Sequence, residues 1–171
     1  MWEYRGQRRP DFADVPGAGQ ESVWDYPRPP SVVPDRRHVE VRCGRTLVAS
    51  SSRTLRVLET ASPPTFYIPK RDITPGFLVA CEGQSVCEWK GPAQYWALTR
   101  QVGQTEPVAW SYPQPGSGFR AIAGCFAFYP GRVDCRVDGE RVQSQPGYFY
   151  GGWITSDVVG PFKGSPGTGH W

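Results

Sequence analysis

The stretch Asp134-Cys135-Arg136-Val137-Asp138-Gly139-Glu140-Arg141-Val142 decides the class of fold. Asp-Gly is the strongest short-range hairpin signal, because both residues tolerate the positive φ of a tight type I′ turn. A two-residue turn there pairs Cys135 with Val142 and Val137 with Glu140, leaving Asp134, Arg136 and Arg141 facing water. The same alternation occurs upstream. Val39, Val41 and Cys43 share one face of a strand, while His38, Glu40 and Arg42 share the other. Gly44 turns the chain into a strand from Thr46 to Ser50, and another runs from Thr54 to Thr60. Pro63-Pro64 then introduces a short extended Phe66-Tyr67-Ile68, closed by Pro69.

Between Ala93 and Tyr112 two registers compete. A turn at Gly103-Gln104, glycine first as in type II′, pairs Tyr95 with Tyr112 and Ala97 with Trp110. A turn at Val102-Gly103 pairs Tyr95 with Trp110 instead. In both, Tyr95, Trp110 and Tyr112 share one face and Trp96 and Leu98 take the other; a three-residue loop would scramble the assignment. Cys125-Phe126-Ala127-Phe128-Tyr129 is apolar on both faces and reads as a central strand. Phe119 to Gly124 suits one short helix. The expected fold is a mainly β single domain of hairpins with little helix.

Composition agrees. The 171 residues suit one domain, and 20 glycines with 18 prolines exclude a helical bundle. Aromatic residues at 13% exclude disorder. Mean hydropathy is −0.48, and no apolar run approaches the roughly 18 residues of a membrane span. The net charge is only +3. Arg36, Arg37, Arg42, Arg45, Arg53 and Arg56 cluster, but Glu40 and Glu59 interrupt them, so a solvated sheet face is expected rather than a nucleic-acid strip. Met1-Trp2-Glu3-Tyr4-Arg5 lacks the pattern of a signal peptide, and the five cysteines form no disulfide framework. A cytoplasmic protein with reduced thiols is expected.

Residues 1–34 read as an extended N-terminal arm, since Pro27-Arg28-Pro29-Pro30 forbids helix. Residues 35–146 form the β domain. Residues 147–171 read as a Gly/Pro/aromatic C-terminal arm, whose Tyr148, Phe149, Tyr150, Trp153 and Phe162 need cover. That cover comes from the arm's own domain or from a second copy in a homodimer.

Several chemistries are excluded by their motifs. No GxSxG elbow, phosphate-binding glycine loop, HExxH or CxxC pair is present. His38 and Cys43 lie an odd number of residues apart in a strand, on opposite faces, so they form no dyad. The spacings Cys81 to Cys87 and Cys125 to Cys135 are too wide for a zinc knuckle. Neither metal nor cofactor is expected. What remains is Cys87-Glu88-Trp89-Lys90-Gly91, followed by Tyr95 and Trp96. Lys90 suits an anionic ligand or a carboxylate, and the Trp89 indole suits a flat apolar group. Arg56, Glu59 and Tyr67 are further candidates for the same pocket. The plain alternative has Lys90 bridging Glu59 or Glu88, with the aromatic residues as core.

Glu21-Ser22-Val23-Trp24-Asp25-Tyr26-Pro27-Arg28-Pro29 and Leu55-Arg56-Val57-Leu58-Glu59-Thr60 resemble the domain-of-unknown-function family 427. So do Cys87-Glu88-Trp89-Lys90-Gly91 with Ala93 and Tyr95, Ala109-Trp110-Ser111-Tyr112-Pro113, and Ile122-Ala123-Gly124 with Ala127-Phe128-Tyr129. The resemblance spans at least Glu21 to Val142, and Phe149-Tyr150-Gly151-Gly152-Trp153 resembles the longer bacterial members. It implies a β-tent-like fold, related to methionine sulfoxide reductase B and the imide-binding domain of cereblon. Those relatives often hold zinc through paired CxxC knuckles, which this chain lacks. A nucleotidyltransferase label sometimes attached to the family would require closely spaced carboxylates behind a Gly-Ser loop, and Gly116-Ser117 has none.

The expected function is binding of a small anionic or planar ligand in an aromatic-lined pocket formed by Arg56, Glu59, Tyr67, Trp89, Lys90, Tyr95 and Trp110. Two other classes compete. One is an enzyme with Glu59 as general base and Lys90 or Arg56 stabilising an anion; the other is a homodimeric interaction module without catalysis. The cysteine spacing yields a direct test: elemental analysis of the purified protein is expected to find no stoichiometric zinc. About one zinc per chain, lost on substituting Cys81 or Cys135, would contradict it.

Overall fold

The computed structural model describes residues 2–99 and 106–171. In chain order its strands are β1 (Glu21–Ser22), β2 (Ser31–Asp35), β3 (Val39–Cys43), β4 (Thr46–Ser51), β5 (Thr54–Leu58), β6 (Thr65–Pro69), β7 (Leu78–Cys87) and β8 (Gly91–Leu98). They continue as β9 (Pro107–Ser111), β10 (Cys125–Phe128), β11 (Asp134–Val137), β12 (Glu140–Arg141), β13 (Gln143–Ser144), β14 (Trp153–Ile154) and β15 (Val158–Val159). Single 3-10 turns occupy Val23–Asp25 and Lys70–Asp72, and a longer one occupies Ser117–Ile122, beside the expected helix. The protein is mainly β. Among the described residues no helix is long and apolar enough to cross a membrane.

Seven strands form one sheet in the order β2-β5-β6-β10-β9-β8-β7, and four form another in the order β12-β11-β3-β4. The Asp138-Gly139 turn closes the β11–β12 hairpin as its chemistry requires, with φ of 47° and 82°. Val137 stands opposite Glu140, and the Val142 N–H donates to the Cys135 carbonyl at 2.8 Å.

In the β8–β9 pair Tyr95 faces Trp110 and Gln94 faces Ser111, so the pairings Tyr95–Tyr112 and Ala97–Trp110 do not occur. The register shifts between Trp96 and Ala97, which brings Ala97 opposite Pro107. Proline cannot donate to a ladder, and a break in register is where a strand tolerates it. The turn at Val102-Gly103-Gln104 lies outside the described residues. The faces follow the expectation: Tyr95, Trp110 and Tyr112 belong to one apolar cluster, Trp96 and Leu98 to another.

β10 explains the two clusters. Phe126 and Phe128 pack toward the four-stranded sheet with Phe66, Ile68, Val39, Val41 and Cys135. Cys125 and Ala127 face the other way, toward Tyr67, Trp110, Phe119 and Ile122. A third cluster joins the two terminal segments. There the Trp24 ring lies 5.1 Å from Tyr4, 5.2 Å from Phe12 and 5.2 Å from Trp171.

The segment read as an N-terminal arm ends in β2, which pairs antiparallel with β5 at the sheet edge. In the C-terminal segment Trp153 is fully buried, its ring stacked on Phe66 at 4.8 Å and its Nε1–H donating to the Phe128 carbonyl. Tyr148 and Phe149, in contrast, are 99% and 69% exposed, so not all five aromatics of this segment are covered. Gly147, at φ 85°, sits against the Gly164 carbonyl in space a Cβ would fill, so the backbone closes on itself there.

The arginine cluster is not a plain solvated face. The Arg56 Nη atoms donate to Glu21 at 3.0 and 3.2 Å, and its Nε lies 3.1 Å from Asp35. Arg37 bridges Asp35 and Asp157, both at 2.8 Å. This network ties β1, β2 and the turn before β15 to β5. Burial raises the Glu21 and Asp35 carboxyls, but Arg56 and Arg37 outweigh it and hold both below their ordinary values of 4.5 and 3.8. Groups depressed in the folded state stabilise it fully above the unfolded values and less as pH falls through the folded ones. Arg56→Met is therefore expected to cost about 3 kcal/mol in urea unfolding at neutral pH. The gap to the unsubstituted protein should narrow as the pH drops below those ordinary values.

Candidate functional site

Alternation on the sheet gathers aromatic side chains on the face away from the four-stranded sheet. Tyr67 from β6, Trp110 from β9 and Tyr95 from β8 project there, and Tyr129 follows directly after β10. Trp110 Nε1–H donates to the Tyr67 hydroxyl at 3.4 Å, and the Tyr129 ring lies 4.5 Å from the Trp110 ring. The Tyr95 hydroxyl shares a hydrogen bond with Ser85 at 2.7 Å. Together they floor a cavity of about 220 Å³. Burial raises the Tyr67 and Tyr112 phenols well above the usual range and pushes Tyr129 up to about 12. These hydroxyls therefore stay neutral at physiological pH and act as hydrogen-bonding groups.

One wall is the turn between β7 and β8. Cys87 stands opposite Gly91, so Glu88, Trp89 and Lys90 form a three-residue loop, and Gly91 takes the φ of 91° that such a loop needs at its end. The Gly116 N–H donates to the Lys90 carbonyl at 3.3 Å and fixes this turn against the loop that follows β9. Lys90 Nζ lies 5.6 Å from the Tyr112 ring centroid and 5.9 Å from that of Phe119. No Asp or Glu stands within 4.0 Å of it among the described residues, so Lys90 bridges neither Glu59 nor Glu88. The buried Trp89 Nε1–H has no acceptor among the described residues.

A second wall, joined to the first through Trp2, comes from the two terminal segments. Glu59 accepts from Arg28 Nε at 3.3 Å, and Arg28 also donates to the carbonyls of Tyr4 and Thr60. Trp2 lies beside them. Its Nε1–H donates to Glu88 at 2.9 Å, with Arg28 Cζ 4.3 Å and Lys163 Nζ 3.9 Å from its ring. Lys163 is only 3% exposed, and its ammonium donates to the main-chain oxygen of Trp171 at 3.2 Å. Burial, followed by the nearby Arg28 charge, lowers its pKa. The Gln145 amide fastens this wall, donating to the Lys163 carbonyl and accepting from the Gly152 N–H.

Of the residues singled out by sequence, Glu59, Tyr67, Trp89, Lys90, Tyr95 and Trp110 line one cavity. Arg56 does not. It lies an odd number of residues from Val57 and Glu59, so the strand turns it to the other face, where it is consumed by Glu21 and Asp35. That parity was readable in the sequence. Trp2, Gln145 and Lys163 were missed because they sit in aperiodic segments without a motif, and Arg28 was missed although it lies in one of the stretches that carry the family resemblance. The scarcity of lysine was the one available signal for Lys163. Among the described residues no group of three or more His, Cys, Asp or Glu side chains could hold a metal ion.

Gly151 closes the cavity against the floor. A Cβ there would stand 2.2 Å from Trp110 Cη2 and 3.1 Å from Tyr129 Cδ1. Gly151→Ala is therefore expected to destabilise the protein by about 1–3 kcal/mol in urea unfolding. Gly118→Ala, whose Cβ meets nothing within 4 Å, is the control and should be near neutral by comparison.

A search of curated proteins found no match. The family described as "Domain of unknown function (DUF427)" matches residues 31–139. That span holds the cavity floor and the Trp89–Lys90 turn, and it covers more than half of the 171 residues; the chain belongs to the DUF427 family.

Proposed function

We propose that this protein binds a small planar anion in the cavity between Trp110 and the Trp89–Lys90 turn. The observation that carries this reading is Lys90, an ammonium at an aromatic-walled cavity with no Asp or Glu to neutralise it among the described residues. The aromatic floor offers a surface for a flat body, and the unmatched cation offers a partner for its charge. The buried Trp89 Nε1–H supports the same reading, since a buried donor without an acceptor costs about 1–3 kcal/mol that a ligand oxygen would recover. A cavity of about 220 Å³ limits the occupant to little more than a single ring.

Binding is favoured over general-base catalysis because the Glu59 carboxylate is already engaged by Arg28, and Arg56 is too far round the strand to stabilise an anion here. Calorimetry with benzoate and its neutral isostere benzamide tests the proposal. Benzoate is expected to bind and benzamide to bind more weakly, by about tenfold, with Lys90→Met removing that preference. Equal binding of the two compounds, or of neither, would overturn it.

A further inference from the structure

Donors and acceptors around this cavity are out of balance. The acceptors are engaged: Glu59 takes Arg28, Glu88 takes the Trp2 indole, and the Gln145 oxygen takes the Gly152 N–H. Lys163 is settled as well, by the Trp171 oxygen, the Trp2 ring and the charges of Glu59 and Glu88. In the β7–β8 turn, by contrast, the buried Trp89 Nε1–H has no acceptor and Lys90 has no carboxylate among the described residues.

A further donor lies in the floor. Tyr67 on β6 borders the cavity and is 1% exposed, so bulk water does not serve its hydroxyl. A phenol can accept and donate. The Tyr67 oxygen accepts from Trp110 Nε1–H at 3.4 Å, so donation is the role left over, and its O–H meets no acceptor among the described residues. The titratable groups whose charge reaches it are Cys87, Tyr129 and Cys125, none of them a carboxylate. Burial keeps the phenol protonated, so the proton is present to be given. A shielded donor is costly to leave unmatched. One anionic group can serve Lys90 and Trp89, neighbours in one turn, but it leaves Tyr67 in another strand without a partner.

We infer, resting on the anion-binding reading above, that the natural occupant is a planar anion with a second, uncharged acceptor on its ring, which takes the O–H of Tyr67. A ring nitrogen or a carbonyl oxygen meets that need. Tyr67 is then a specificity-determining residue, and the ligand class is a heteroaromatic or oxo-substituted ring acid rather than a plain aryl carboxylate.

The test uses the full chain and calorimetric titration with the three pyridine monocarboxylates against benzoate, at mildly alkaline pH where the ring nitrogen is unprotonated. Exchanging one ring CH for nitrogen keeps size, shape and charge and adds only the acceptor, and the three isomers place it at different distances from the carboxylate. At least one isomer is expected to bind about fivefold more tightly than benzoate. Tyr67→Phe should reverse that order, because an unmatched nitrogen is then buried, while benzoate binding persists. Thermal melts verify that the variant folds. Independently of the variant, the ring-nitrogen NMR signal of the isotopically labelled acid should move in the hydrogen-bonded direction on binding to the unsubstituted protein. Benzoate bound in preference to benzamide, with no pyridine acid exceeding benzoate, would overturn this inference and leave the anion-binding reading intact. A nitrogen preference that survives Tyr67→Phe, or a ring-nitrogen signal without the hydrogen-bonded shift, would also overturn it. No binding of any of these acids would overturn both.

Discussion

The central strand of the large sheet is apolar on both faces, so the sheet must be covered twice. Phe126 and Phe128 find one cover in the four-stranded sheet, where Val39, Val41 and Cys135 alternate inward. Cys125 and Ala127, with Tyr67 and Trp110, need a second. The 3-10 turn at Ser117–Ile122 covers part of that face through Phe119 and Ile122. The terminal segments cover more, and the cavity is what they leave uncovered. A shortage of covering structure, rather than a dedicated scaffold, creates the site.

Charge decides how firmly the second cover is held. Arg56 within β5 and Arg28 in the N-terminal segment act alike, each joining terminal chain to the sheet through carboxylates and, for Arg28, main-chain carbonyls. Both are largely buried, where a guanidinium is retained when carboxylates stand close to it. Their partners Glu21, Asp35 and Glu59 are consumed in the process. Lys90 is left with the rings of Tyr112 and Phe119 instead, at the edge of the cavity.

The hairpins were legible in the sequence because their signals are local. Asp138-Gly139 states both a turn type and a register, and strict alternation from Val39 to Cys43 states a face. The β8–β9 register was only half legible: two turns fitted equally, and the shift opposite Pro107 answers to the neighbouring strand rather than to the turn. Tyr95, Trp110 and Tyr67 were readable as one face by parity, and the Trp89–Lys90 turn by the lysine among aromatics. Lys163 and Trp2 were not, because their positions follow from how aperiodic chain drapes over the sheet, and no spacing rule encodes that. The exposure of Tyr148 and Phe149 was hidden for the same reason, since composition requires aromatics to seek cover but does not say which of them finds it.

The cavity also divides unevenly along the chain. Its floor and the Lys90 turn lie within residues 31–139, the span shared with the family, whereas Trp2, Gln145, Gly151 and Lys163 lie outside it. A chain that kept the shared span but exchanged its terminal segments would keep the aromatic floor and Lys90 and acquire a different terminal wall. One shared platform would then carry closing segments of different chemistry, as a common frame takes interchangeable covers.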